Sequence, residues 1–129
     1  MPKPNLRILV VEDEQPLIEA IKKKLELSGF QVLSARSVKQ AIDYLNTISD
    51  ISIVWLDHYL MGKETGMDFI TWMKAEERFK NMPIFVVSNT VTSDKVTTYL
   101  ALGADKYYAK ANYRLDQIIA DIKKSIAQT

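Results

Sequence analysis

The chain has 129 residues, 47% apolar and 26% charged, the proportions of one soluble globular domain, which excludes disordered and collagen-like classes. Seventeen basic against sixteen acidic side chains leave a net charge of +1, too even a balance for direct binding to a nucleic-acid backbone. No apolar run reaches membrane-spanning length, no cysteine occurs, and Met1-Pro2-Lys3-Pro4-Asn5 lacks the apolar core of a signal peptide, so the expectation is cytoplasmic residence with no membrane partner.

Leu6 to Val11 is a short apolar run that ends in Glu12, Asp13 and Glu14. Pro16 suits the first turn of a helix, and Leu17, Ile18, Ile21 and Leu25 recur at helical spacing until Ser28-Gly29, which predicts a strand and a helix over roughly residues 5 to 28. Phe30, Val32 and Leu33 form a short second strand, and Ser37 is an N-cap for a helix carrying Val38, Ala41, Ile42, Leu45 and Ile48 on one side. Ile53-Val54-Trp55-Leu56, preceded by Ile51, reads as a third strand buried on both faces, and Asp57 stands at its carboxyl end. A loop with Gly62 and Gly66 leads to a helix that turns Phe69, Ile70 and Met73 inward.

Pro83 introduces a fourth run, Ile84 to Val87, which ends in the polar cluster Ser88-Asn89-Thr90. Thr92-Ser93-Asp94 caps a helix bearing Val96, Tyr99, Leu100 and Leu102, stopped by Gly103. A weak fifth strand, about Lys106 to Ala109, delivers Lys110 to its end, and a last helix carries Leu115, Ile118, Ile119, Ile122 and Ile126. Lys22-Lys23-Lys24 and Lys123-Lys124 fall within helical patterns whose other face is apolar and read as solvated faces.

Five strands alternating with five helices predict right-handed crossovers and a parallel sheet covered on both faces. Pattern alone does not order the strands. In any order, Glu12, Asp13, Asp57, Ser88 and Lys110 fall on one rim, outside the carboxyl ends of the strands, where open α/β sheets bind ligands. Three carboxylates can converge with one lysine if a hard divalent cation offsets their repulsion, and oxygen ligands suit Mg²⁺. Mg²⁺ bound by carboxylates usually takes a phosphate oxygen too, a lysine and a hydroxyl can hold the other phosphoryl oxygens, and an aspartate can itself accept that group. The chain has no phosphate-binding Gly-x-x-x-x-Gly-Lys-Ser/Thr loop, no Gly-x-Gly-x-x-Gly after a strand, and in His58 a single histidine that cannot found a zinc site. A phosphatase of the haloacid-dehalogenase type would need a second Asp where Tyr59 stands.

Over essentially its whole length the sequence resembles the receiver domain of two-component response regulators, of the CheY type. The resemblance rests on Val10-Val11-Glu12-Asp13-Glu14, Val54-Trp55-Leu56-Asp57, Pro83-Ile84-Phe85-Val86-Val87-Ser88 and Gly103-Ala104-Asp105-Lys106-Tyr107-Tyr108-Ala109-Lys110. It implies a flavodoxin-like fold with strand order 2-1-3-4-5, one receiver domain over residues 1–129 with no output domain, and a protein that is not an enzyme beyond its own phosphorylation and dephosphorylation. It further implies phosphotransfer to Asp57 from a sensor histidine kinase or histidine phosphotransfer protein. Mg²⁺ would be held by Glu12, Asp13, Asp57 and the Tyr59 carbonyl, and the phosphoryl oxygens by Ser88 and Lys110. Ser88 would then be drawn inward and Tyr107 would rotate into the space vacated, altering the face built by the fourth helix, fifth strand and fifth helix toward an unknown output protein, in a monomer or weak dimer.

Tyr59 and Thr90 occupy the two positions where the family tunes self-dephosphorylation, and neither offers a group suited to orient water, so slow hydrolysis is expected. The chain departs from the family pattern at Ala111, where Pro with a cis bond usually follows the lysine, at Met61, where Pro is usual, at Gly66, one residue late, and at Asn89. The alternatives are a receiver-like interaction module that binds partners without phosphorylation and, third, the dehalogenase-type phosphatase.

Overall fold

The computed structural model describes residues 6–89 and 92–127, and the readings of the N-terminal stretch Met1 to Asn5 and of Thr90 lie outside the described residues. The strands are β1 (Arg7–Val11), β2 (Gln31–Ala35), β3 (Ile51–Leu56), β4 (Ile84–Ser88) and β5 (Lys106–Ala109), and the helices are α1 (Gln15–Leu27), α2 (Val38–Thr47), α3 (Gly66–Ala75), α4 (Ser93–Leu102) and α5 (Leu115–Ala127). All neighbouring strands are parallel, in the order β2-β1-β3-β4-β5. This is the doubly wound sheet expected from the alternation of elements, with the order implied by the family resemblance.

Alternation along the central strands divides the core in two. Leu9 and Val11 of β1, with Val54 and Leu56 of β3, pack against α2, α3 and α4 through Val38, Ala41, Leu45, Phe69, Ile70, Met73 and Tyr99. Ile8, Val10, Ile53 and Trp55 face the other way, onto Ile21 and Leu25 of α1 and Ile118, Ile119 and Ile122 of α5. Strands buried on both sides need apolar residues at every position, which is why β1, β3 and β4 read as continuous runs.

Local signals set the helix limits. Ser37 accepts a hydrogen bond from the Gln40 amide at 3.2 Å at the start of α2, and Gly103 ends α4 at φ 110°, a left-handed conformation that favours glycine. Three details differ from the sequence reading. Phe30 precedes β2, because its amide closes the end of α1 on the Leu25 carbonyl at 3.0 Å. Ser88 is the last residue of β4, ahead of the polar cluster it seemed to open. Leu100 is exposed, since it stands about 100° around α4 from the fully buried Tyr99 and only one stripe of a helix faces the core.

Gly66, at the first position of α3, is held by close approach: a Cβ there would lie 2.6 Å from both the Asp57 carbonyl oxygen and the Tyr99 hydroxyl. Gly66→Ala is expected to lower stability by about 1–3 kcal/mol, the usual cost of overpacking. Reversible denaturant unfolding of the two proteins checks this, and an unchanged midpoint would contradict the packing described.

Candidate functional site

The sheet ladders run on past the strand ends and place the rim residues. The Glu12 amide donates to the Ala35 carbonyl at 3.0 Å, the Asp57 amide to the Val11 carbonyl at 2.9 Å, and the Lys110 amide to the Ser88 carbonyl at 2.9 Å. Three loops are thereby locked to neighbouring strands at the carboxyl edge. The reversal of strand order falls between β1 and β3, where the crevice of a doubly wound sheet opens, and Glu12, Asp13 and Asp57 sit there.

Each of these three acids offers one carboxylate oxygen, and the three atoms lie within 4.8 Å of one another. Glu12 and Asp57 are buried and Asp13 is half-buried. Lys110 supplies the facing positive charge: its Nζ lies 2.6 Å from Glu12 Oε1 and 3.5 Å from Asp57 Oδ2. The other Glu12 oxygen accepts from the Asp13 amide at 2.9 Å and the Glu14 amide at 3.3 Å, at the positive end of α1. Arg36 braces the same loop, donating from Nε and Nη2 to the Asp13 carbonyl at 3.0 and 2.7 Å. The Asp57 oxygens are not equivalent, because Oδ1 is buried with no hydrogen-bond partner among the described residues.

Burial pushes the Glu12 carboxyl well above the ordinary carboxylate range; Lys110 pulls it down and the Asp57 charge adds to the rise. Burial alone would lower the Lys110 ammonium, but the hydrogen bond with Glu12 and the charge of Asp57 more than offset it and hold Lys110 protonated. Three carboxylates against one ammonium leave excess negative charge in a largely buried place, which an entering cation would offset. The donor set is all oxygen, and one buried carboxylate oxygen lacks a partner among the described residues, so the residues fit a hard divalent cation of the Mg²⁺ kind.

The remaining rim residues lie nearby. Ser88 is fully buried at the end of β4 and is hydrogen-bonded with Tyr107, whose phenol is raised by burial and lowered by that bond. Tyr59 is 53% exposed in the loop after β3, and Lys95 of α4 reaches it, with Nζ 3.2 Å from the phenol oxygen and 5.0 Å from the ring centre. No cis peptide bond occurs among the described residues, so Lys110–Ala111 is trans, and the lysine still reaches both acids.

Two groups escaped the sequence reading. His58, set aside because one histidine makes no zinc site, is buried, with Nδ1 2.7 Å from the Tyr99 hydroxyl. Burial and then Lys95 lower the His58 pKa from its ordinary value, and burial raises the Tyr99 phenol far above its own. Arg36 was not singled out either. Neither contact leaves a signal in local spacing, since the partners are 41 and 23 residues apart.

The family model described as the response regulator receiver domain matches residues 8–123. The chain belongs to the receiver domain family of two-component response regulators. The receiver is 32% identical over 117 residues to the phosphate regulon transcriptional regulatory protein PhoB of Escherichia coli, covering 91% of this chain and 50% of PhoB. It is 28% identical over 106 residues to the chemotaxis protein CheY1 of Helicobacter pylori, covering 81% of this chain and 85% of CheY1. The receiver thus spans half the length of PhoB and most of CheY1. A response regulator receiver protein from Pseudomonas putida shares the fold with a TM-score of 0.86 at 24% identity, over 95% of this chain and 99% of that one. These relatives are regulators, which sets aside the dehalogenase-type phosphatase reading, and no helix among the described residues is long and apolar enough to cross a membrane.

The Lys110–Glu12 pair yields a pH test. A carboxyl whose folded pKa is raised contributes stability that is full below its ordinary value of 4.5 and is lost as pH rises through the raised one. Lys110→Ala removes two influences that hold Glu12 down, so its pKa climbs further. The variant should lose about 1 kcal/mol more at about pH 8, where Glu12 of the wild type is ionised against Lys110 and that of the variant stays protonated, than at about pH 5, where both are protonated. Denaturant unfolding at the two pH values checks this, and an equal loss at both would contradict the pairing.

Proposed function

We propose that this receiver accepts a phosphoryl group on Asp57 from the phosphohistidine of a sensor histidine kinase or a histidine phosphotransfer protein, in a step that needs Mg²⁺. The observation that carries the reading is the Asp57 carboxylate itself: buried, 3.5 Å from the Lys110 ammonium, beside two more acids, and with one oxygen that has no hydrogen-bond partner among the described residues. A buried carboxylate in that condition is costly, and the cost is repaid when charge enters the site.

Glu12, Asp13 and Asp57, with the Tyr59 carbonyl, would hold the metal. Mg²⁺ held there would supply the positive charge that offsets the acids and the incoming phosphoryl group. Asp57 supplies the attacking oxygen: a bond forms from it to phosphorus as the bond from phosphorus to the donor imidazole nitrogen breaks, the electron pair returning to the imidazole. Lys110 neutralises one phosphoryl oxygen and the Ser88 hydroxyl donates to another, so the transfer is governed by positioning and charge. Once phosphorylated, the site carries new acceptor oxygens that compete for Ser88, and the Ser88–Tyr107 hydrogen bond is where that competition reaches β5 and α4. The face of α4, β5 and α5 then carries the signal to an output protein.

Asp57→Asn should abolish the mass gain of roughly 80 Da that acetyl phosphate produces, the signature of an added phosphoryl group. Undiminished labelling of that variant would place the modification elsewhere. The exposed Tyr59 ring, steadied by Lys95, shields the water approach opposite the leaving carboxylate oxygen. Tyr59→Asn is therefore expected to speed loss of the phosphoryl group by roughly three- to tenfold, a barrier change of about 1 kcal/mol. Decay followed by intact mass decides this, and equal or slower decay in the variant would refute the shielding.

A further inference from the structure

His58 follows Asp57 directly, yet its imidazole turns into the protein and meets a residue of α4. Its Nδ1 lies 2.7 Å from the hydroxyl of Tyr99, which has no exposed surface at all. The two rings meet edge to face with centroids 5.7 Å apart, and on its other side Tyr99 packs against Tyr107 at 5.8 Å. Tyr107 in turn is hydrogen-bonded with Ser88. Two chains of contact therefore run from the acid site to α4. One passes through the hydroxyl strand, Ser88 to Tyr107 to Tyr99. The other leaves the backbone of the phosphoacceptor itself, Asp57 to His58 to Tyr99.

The second chain has little slack. A Cβ on Gly66 would meet the Tyr99 hydroxyl and the Asp57 carbonyl oxygen each at 2.6 Å, so the phenol oxygen is lodged against the start of α3 beside the Asp57 peptide. A fully buried phenol that loses its partner bears the desolvation cost of an unpaired polar group. Tyr99 therefore cannot move with α4 unless His58 follows it or that cost is met. His58 in turn is one peptide from the carboxylate. Charge added at Asp57 and displacement of α4 are coupled through this bond, and such coupling acts equally in both directions.

We propose that Tyr99, acting through His58, is a positioning residue that couples α4 to Asp57 by a route separate from Ser88 and Tyr107. The proposal rests on Asp57 being the phosphoacceptor. Its consequence is that α4 responds to the site even when the Tyr107 hydroxyl is removed, and that the response is lost only when both routes are cut.

The test is backbone amide NMR of the full chain in Mg²⁺, with and without beryllofluoride as a non-covalent mimic of the aspartyl phosphate. Tyr99→Phe keeps the ring and its packing and deletes only the hydroxyl, and Tyr107→Phe does the same for the first route. In the wild type, beryllofluoride should shift the amides of Glu12 and Asp13 and those of Lys95 to Leu102. In Tyr99→Phe the site amides should shift as before, while the α4 shifts fall by half or more. Tyr107→Phe should retain part of the α4 response, and the double variant should retain none. A purely structural role for Tyr99 predicts a different pattern, with site and α4 shifts kept or lost together. Full-size α4 shifts in Tyr99→Phe, or their complete loss in Tyr107→Phe alone, would overturn the second route. A wild type whose Glu12 and Asp13 amides do not respond at all would instead remove the phosphoacceptor reading, and the coupling with it.

Discussion

Among the described residues, Lys110 is the one cation ion-paired with the acids of the rim: its Nζ lies 2.6 Å from Glu12 and 3.5 Å from Asp57, with Asp13 beside them. One ammonium does not balance three carboxylates, and burial makes the imbalance costly. The fold bears that cost with many small restraints. The Glu12 carboxylate is held by the amides of Asp13 and Glu14 just ahead of α1, the Asp13 carbonyl by Arg36, and the backbones of Glu12, Asp57 and Lys110 by ladders that outrun their strands. These restraints keep the acids together where repulsion would spread them, and the all-oxygen donor set that results fits a hard divalent cation.

The sheet explains why such restraint is possible. β1, β3 and β4 are buried on both faces, so their ends are rigid, and each delivers its functional residue at a fixed height on the carboxyl edge. β5 starts on an exposed residue and has only four, but its pairing with β4 through Ser88 and Ala109 is enough to bring Lys110 to the acids. The trans Lys110–Ala111 bond shows that this reach comes from strand register and needs no special peptide geometry after the lysine.

Much of this was legible in the sequence because the signals are local. A continuous apolar run ending in a carboxylate states both a doubly buried strand and its functional end, as Ile53 to Asp57 does, and Ser37 and Gly103 mark helix limits by their own chemistry. The strand order was not local, since the same five runs satisfy other arrangements, and it entered through family resemblance. Contacts between distant loops were not legible either. Nothing in Arg36 says that it will clamp Asp13, and nothing in Tyr99 distinguishes a core aromatic from one whose hydroxyl is bonded to His58. Leu100 shows the converse limit, for its apolarity suggested burial and the helix turned it outward.

The central claim is that the acid cluster and Lys110 form a phosphoacceptor whose charge must be offset by a metal ion before Asp57 can react. The most direct test is the intact mass of the wild-type protein after incubation with acetyl phosphate, once with Mg²⁺ and once with a chelator in excess. The account predicts a single phosphoryl adduct with Mg²⁺ and essentially none in the chelator. An adduct formed equally well under both conditions would contradict it.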